Sequence, residues 1–451
     1  MDLKQQEKYF RHLIDTKDLK NLQEEVSKMN EADLAEILED FDERETLLIF
    51  RMLPKDLSIA VFTYMTPSQQ RRLVSSITDE ELQSILKDLY FDDRIDVLEE
   101  MPAGVVTKII ANAPAEERKL INEFLQYPED SAGSIMTIEY VSLKPEMTVK
   151  EALDYIKENG MNKETIYTCY VQDKYKKLLG FVSLRELVTS DEDAIIEDIM
   201  LDDVIYVETL DDQEQVADQF IKYGYLALPV VDKEHRLCGI ITVDDIMEVL
   251  EIETTEDFHR MAAIEPSEGE YMEETPWQLA KNRIPWLLIL MLSATLTGGI
   301  INRYNWIISD FIILTTFIPM ITDTGGNTGS QSSTVVIRGL ATGEIELEDL
   351  LPVMWKETKV GVIAGAVLSL VNFLRLFFIV KTSLPIAILV SLTILVTVIL
   401  SKLMGAFLPI VVKKLGADPA LMASSLITTV IDSLVLVIYF NMAKLFLYTF
   451  G

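Results

Sequence analysis

The chain has 451 residues and a formal net charge of −32, with two cysteines and three histidines that show no metal-ligand spacing. A disulfide scaffold, zinc chemistry and a Cys or His nucleophile are therefore unsupported, and nucleic acid is excluded as a partner because phosphate binding needs clustered Lys and Arg. From Lys281 onward there are nine acids and twelve bases, whereas residues 1–280 hold 63 acids and 28 bases, a balance of −35. An acidic, water-soluble portion suited to multivalent cations is joined to a membrane portion.

Residues 1–130 read as an acidic helical domain. Apolar residues recur at three- and four-residue spacing, as in Leu34, Ile37, Leu38 and in Leu82, Ile85, Leu86, Leu89. Pro54, Pro67, Pro102 and Pro114 punctuate these runs and predict helix starts. A stack of short helices follows. FDDRIDVLEEMP at 91–102 places Asp92, Asp93 and Asp96 on one helical turn. The opening MDLKQQEKYFRHLID has no apolar core, so no cleaved signal is expected there.

Residues 131–250 contain an internal repeat. Val171 to Gly180 followed by FVSLREL corresponds, 59 residues later, to Val230 to Gly239 followed by IITVDDI. Each copy reads as strand, helix, two strands, helix, and Cys169 and Cys238 fall in strand-like runs as buried, reduced thiols. Gly180, Ser183, Glu186 and again Gly239, Thr242, Asp245 place a hydroxyl at a strand end and a carboxylate in the next helical turn. The segment resembles a tandem pair of α/β CBS domains. CBS pairs often bind adenine nucleotides, which makes Arg185, Glu186, Tyr225, Thr242 and Asp245 the candidate contacts for ATP as a regulator, while many other such pairs only dimerise and transmit conformation.

A connecting helix over 251–280 leads to the first membrane span. Glu253, Glu256 and Asp257 share one of its faces, with Glu248 near that face's edge. Like charges at this spacing repel by a few tenths of a kcal/mol each, a sign that a bound cation reverses.

Residues 281–451 hold five apolar spans, at about 284–302, 311–336, 360–380, 384–411 and 419–447. Basic residues beside them place the amino-terminal domains in the cytoplasm and the carboxyl terminus outside. The second span passes into FIPMITDTGGNTGSQSSTVVIRG, where Gly325, Gly326 and Gly329 permit close or irregular backbone, Asn327, Thr328, Gln331 and Ser332 offer neutral oxygens, and Asp323 adds an acid. Asp432 stands alone in the last span, with no base nearer than Lys414 or Lys444. A carboxylate at that depth costs at least about 2.5–3.5 kcal/mol and usually marks an ion route.

In module order and in GGNTGSQ and GADPA…Asp432, the whole chain resembles the MgtE family of bacterial magnesium channels. The resemblance implies a multidomain fold: an all-α helical stack, tandem CBS domains, a connecting (plug) helix and a five-helix transmembrane pore. It implies a homodimer in the bacterial inner membrane that conducts Mg2+ and closes when cytoplasmic Mg2+ binds. By matching motif, Asp432 is the pore aspartate. Asp92, Asp96, Asp212, Glu214, Asp245, Glu248, Glu253, Glu256, Asp257 and Asp418 match Mg2+ positions in the soluble part or at the membrane edge. Ala60 and Gly224 stand where an acid can occur, Ser330 and Ser424 replace amides near the pore, and Asp323 is an added acid. Mg2+ is hard, prefers oxygen and keeps its water, which suits Asp, Asn, Gln and Ser around a path. The competing class is a secondary transporter coupling divalent cations to H+ or Na+ through Asp432 and Asp323; a membrane-anchored nucleotide sensor is disfavoured by the intramembrane acid. Nothing in the sequence points to catalysis.

Overall fold

In the computed structural model the described residues are 2–99, 101–267, 271–272, 274–422 and 424–450, with the side chains of 424, 425 and 447–450 outside the description. The amino-terminal part forms helices Leu3–Asp15, Leu19–Val26, Glu31–Glu39, Glu43–Phe50, Lys55–Thr63, Pro67–Ser76, Asp79–Asp88, Phe91–Glu99, Ala103–Asn112 and Ala115–Phe124 (α1–α10). Their starts follow from the sequence. Pro54, Pro102 and Pro114 are the N-caps of α5, α9 and α10, and Pro67 opens α6. Asp42–Glu45, Thr66–Gln69 and Thr78–Glu81 form reciprocal capping boxes. One apolar cluster runs from Phe10 and Leu34 through Ile95 and Leu98 to Val216, Leu228 and Ile241, so α8 packs in a core shared with the second repeat.

The first repeat comprises β1 (Tyr140–Leu143), α11 (Val149–Asn159), β2 (Thr165–Gln172), β3 (Leu178–Ser183) and α12 (Leu184–Thr189). A short helix, α13 (Ile196–Ile199), leads to β4 (Val207–Glu208), α14 (Gln213–Tyr223), β5 (Ala227–Val231), β6 (Leu237–Thr242) and α15 (Val243–Met261). In both sheets the first strand pairs parallel to the second and the second antiparallel to the third. The repeated glycine has a steric cause. A Cβ on Gly180 would lie 2.6 Å from the Leu201 carbonyl oxygen, and one on Gly239 2.5 Å from that of Thr137. In each repeat a crossing segment bridges the strand at this point. Gly224 ends α14 at φ +66°, a left-handed cap that glycine adopts without strain.

The chain divides within α15, after Leu250, into two compact units. The second contains α16 (Pro276–Arg303), α17 (Asn305–Asp310), α18 (Ile318–Ala341), α19 (Leu350–Leu374), α20 (Leu384–Lys414) and α21 (Ser424–Phe450). Four segments are long and apolar enough to cross a bilayer: Pro276–Arg303, Leu347–Val380, Leu384–Lys414 and Pro419–Phe446. The expected span at 311–336 differs. Ile312–Phe317 is a tight 3-10 turn, and α18 then runs unbroken for 24 residues through the glycine-rich GGNTG segment. At 1.5 Å per residue α18 is about 36 Å long, enough for the roughly 30 Å of hydrocarbon. Its polar residues keep it below the apolarity of the other four. The core joins Ile321 of α18 to Val390 and Ile394 of α20 and Ile431, Val435 and Tyr439 of α21. The Tyr439 hydroxyl donates to the Leu314 carbonyl at 2.9 Å. By contrast Leu287, Met291 and Leu296 of α16 are exposed.

Candidate functional site

The glycines of α18 are helix contacts rather than breaks. A Cβ on Gly325 would meet Val435 at 2.8 Å and Thr397 at 3.1 Å, one on Gly326 would meet Thr428 at 2.8 Å, and one on Gly329 would run into Ile431. Gly405 of α20 abuts the Gly329 backbone in the same way. Close packing of α18 between α20 and α21 leaves one face over. Asp323, Asn327 and Gln331, each four residues from the next, are exposed along it, as the 3.6-residue period requires. The Ser330 and Thr428 hydroxyls lie 3.4 Å apart beside this stripe. Asp432 of α21 is partly buried, and its Oδ1 has no hydrogen-bond partner among the described residues. It lies close enough to Asp323 for the two charges to interact. The Ser424 side chain lies outside the described residues.

In the soluble unit, α8 and the start of α15 bring acids together. Asp92 is buried at 8% exposure, and its Oδ1 has no partner among the described residues. Burial, then the charge of Asp245, push its carboxyl well above the usual range. Burial and the charges of Asp245 and Glu248 lift Asp93 to about 6. Asp245 is also lifted to about 6, by burial and by Asp244 and Glu248, against the Thr242 hydrogen bonds that pull it down. Glu164, not anticipated from the sequence, is raised to about 8 by burial and by Asp245 and Asp93. Asp96 and Glu248 are exposed at the rim. Among the described residues no three such groups converge into a ready-made coordination cage. The cluster therefore suits an ion that keeps its water and touches one or two carboxylates, as Mg2+ does. An unpartnered, buried carboxylate oxygen is what such an ion would satisfy.

The other candidates separate. Asp212 caps α14, accepting the Glu214 amide at 2.9 Å. Ser183 and Glu186 form the capping box of α12, and the Thr242 hydroxyl donates to Asp245 at 2.6 Å. Each hydroxyl–carboxylate pair thus has a local structural role. Tyr225 precedes β5, whose Ala227 pairs with Thr242, so these two share one end of the second sheet, while Arg185 and Glu186 belong to α12 of the first repeat. In the second unit Arg260 bonds both Glu256 and Asp418. Burial and the Asp418 charge raise the neighbouring Asp257 carboxyl. The charged face thus carries its own cation, one that the spacing of the acids alone did not reveal.

A helical bundle with a polar stripe and a carboxylate oxygen that has no hydrogen-bond partner among the described residues, carried by a chain with acidic and repeated soluble domains, fits a membrane transporter of divalent cations. The comparisons agree. The sequence model of the MgtE divalent cation transporter matches residues 318–442, that of the MgtE intracellular N domain residues 29–130, and that of the CBS domain residues 132–193 and 196–252. The magnesium transporter MgtE of Thermus thermophilus is 34% identical over 95% of this chain and 96% of its own length. That of Bacillus subtilis is 30% identical over 92% and 94%, and that of Enterococcus faecalis 36% identical over 74% and 73%. The solved cytosolic domain of the Mg2+ channel MgtE in complex with ATP is similar at 32% identity and a TM-score of 0.51, covering 53% of this chain and 98% of that one. The chain belongs to the MgtE family, whose relatives are named as magnesium transporters and not as enzymes.

Proposed function

We propose that the chain is a Mg2+ channel for uptake, closed by Mg2+ bound to its acidic cytoplasmic domains. The observation that carries this reading is the partnerless oxygen of Asp432 beside the exposed stripe Asp323, Asn327, Gln331. A carboxylate among neutral oxygens attracts a hydrated divalent ion without stripping its water. The functional unit is a homodimer in the bacterial inner membrane, with α18 as a fifth span, the amino-terminal domains in the cytoplasm and the carboxyl terminus outside. The exposed apolar face of α16 supports this arrangement, since lipid or a second copy would cover it.

The Asp92–Asp245 cluster acts as a Mg2+ sensor, together with Asp96, Glu248 and, at separate positions, Asp212, Glu214, Glu253, Glu256, Asp257 and Asp418. ATP regulates through Arg185, Glu186, Tyr225, Thr242 and Asp245, a reading supported by the ATP complex of the related cytosolic domain. Mg2+ entry into vesicles holding the purified chain tests the transport claim. Abundant flux that depends on an opposing H+ or Na+ gradient would instead favour a coupled carrier using Asp323 and Asp432.

A further inference from the structure

Lys402 is buried inside the membrane unit at 7% exposure, in a largely apolar stretch of α20 whose other buried polar side chains nearby are Thr397 and Ser401. Its Nζ lies 3.7 Å from Glu357 Oε2 of α19, and the two side chains are 9% and 14% exposed. Between them sits Ser332 of α18, itself 2% exposed. Lys402 Nζ donates to Ser332 Oγ at 3.2 Å, and Ser332 Oγ donates to Glu357 Oε2 at 2.5 Å. One ammonium, one hydroxyl and one carboxylate therefore tie three helices together where water is scarce. A single charge in such a place is costly, and removing either partner strands the other.

The position of this knot matters more than its strength. Ser332 follows Gln331 directly, and Gly405, three residues beyond Lys402, meets the Gly329 backbone. The knot thus lies beside the closest approach of α18 to α20. On a helix each residue turns the face by about 100°, so Ser332 cannot keep both bonds if α18 rotates. The face bearing Asp323, Asn327 and Gln331 is fixed by the same constraint.

We propose that the Lys402–Glu357 pair, bridged by Ser332, is a positioning device for the cation path, setting the rotation of α18 and so the direction of its polar stripe. This rests on the transport reading given above. A merely structural ion pair would govern folding; a positioning pair also governs which ions pass.

The test compares the full chain with Ser332→Ala, Glu357→Gln, Lys402→Met and the Glu357→Gln/Lys402→Met double variant. Each is reconstituted at equal amounts of folded protein, and Mg2+ and Co2+ entry are measured. Each single charge removal is expected to lower the Mg2+-to-Co2+ flux ratio by about tenfold, a mid-range coupling for one buried network. The double variant, which leaves no stranded charge, recovers part of that loss. Ser332→Ala keeps both charges and nearly the same volume, so it folds even if a single charge variant does not, and it lowers the ratio by a few-fold. Wild-type ratios in Ser332→Ala and in the double variant would overturn the proposal. Absence of Mg2+ entry in the unmutated chain would contradict the transport reading itself, whereas normal entry with unchanged ratios in the variants contradicts only the positioning role.

Discussion

The acids of the soluble unit and those of the membrane unit are set in opposite ways. Around Asp92 several carboxylates crowd together, partly desolvated, while Arg94 of the same helix pairs with Glu117. In the membrane unit the buried Glu357 has Lys402, while Asp432 has an oxygen with no partner among the described residues and lies near Asp323. Crowded, uncompensated acids make a cluster whose energy depends steeply on cation concentration, which is what a sensor needs. A carboxylate beside neutral oxygens attracts an ion yet lets it leave, which is what a path needs. The connecting segment is intermediate, because Arg260 supplies a tethered cation to Glu256 and Asp418.

The comparison breaks most visibly at Asp432. Asp432→Asn should fold and assemble normally but lose Mg2+ entry by at least about tenfold, because the charge marking the route is gone; Mg2+ flux assays in vesicles check this. Unchanged flux would reassign Asp432 to helix packing. The sensor side predicts a large effect on gating. Several ions, each at 100 times its dissociation constant, contribute about 2.7 kcal/mol apiece to the bound state. Two or more can move a gate through the roughly 5.5 kcal/mol between 1:99 and 99:1. Asp92→Asn/Asp245→Asn should therefore leave flux high at internal Mg2+ concentrations that shut the unmutated chain, as read by patch recording.

A smaller effect concerns stability and pH. Asp93 and Asp245 at about 6 and Glu164 at about 8 lie above unfolded carboxylates, near about 4. The folded state therefore binds more protons than the unfolded one across that window, and its stability falls as pH rises through it. Each kcal/mol lost lowers Tm by about 2–4 °C in a unit of this size, and three shifted groups lose more than that, so the Tm of the metal-free chain should drop by more than about 4 °C between pH 5 and 8, and Mg2+ should abolish most of the drop. A Tm that rises over this range would contradict the cluster. The smallest effect is expected at Arg260. Exposed ion pairs contribute about 0.2–1 kcal/mol, so Arg260→Gln should shift the Mg2+ concentration for closure by no more than about fivefold, towards lower values.

How much of this was legible in the sequence varies by residue. The repeat was readable because Gly180 and Gly239, Ser183 and Thr242, and Glu186 and Asp245 recur at one offset. The prolines marked helix starts because ring geometry acts locally. The GGNTG segment was legible as close packing but not as a continuous helix, since glycine permits both and only Ile431, Thr428 and Gly405 decide between them. The partnership of Lys402 with Glu357 left no trace, as residues 45 apart share no period. A lone lysine in the apolar run of α20 was the available signal. Glu164 was missed for the same reason, its neighbours being set by the fold and not by its own helix or strand.

The central claim is tested most directly by single-channel recording of the purified chain in a planar bilayer, with Mg2+ as the only permeant cation. The account predicts discrete Mg2+ currents that cease when Mg2+ is raised on the side of the acidic domains and that are lost in Asp432→Asn. Mg2+ entry into vesicles without any unitary current, or currents indifferent to Asp432, would contradict it.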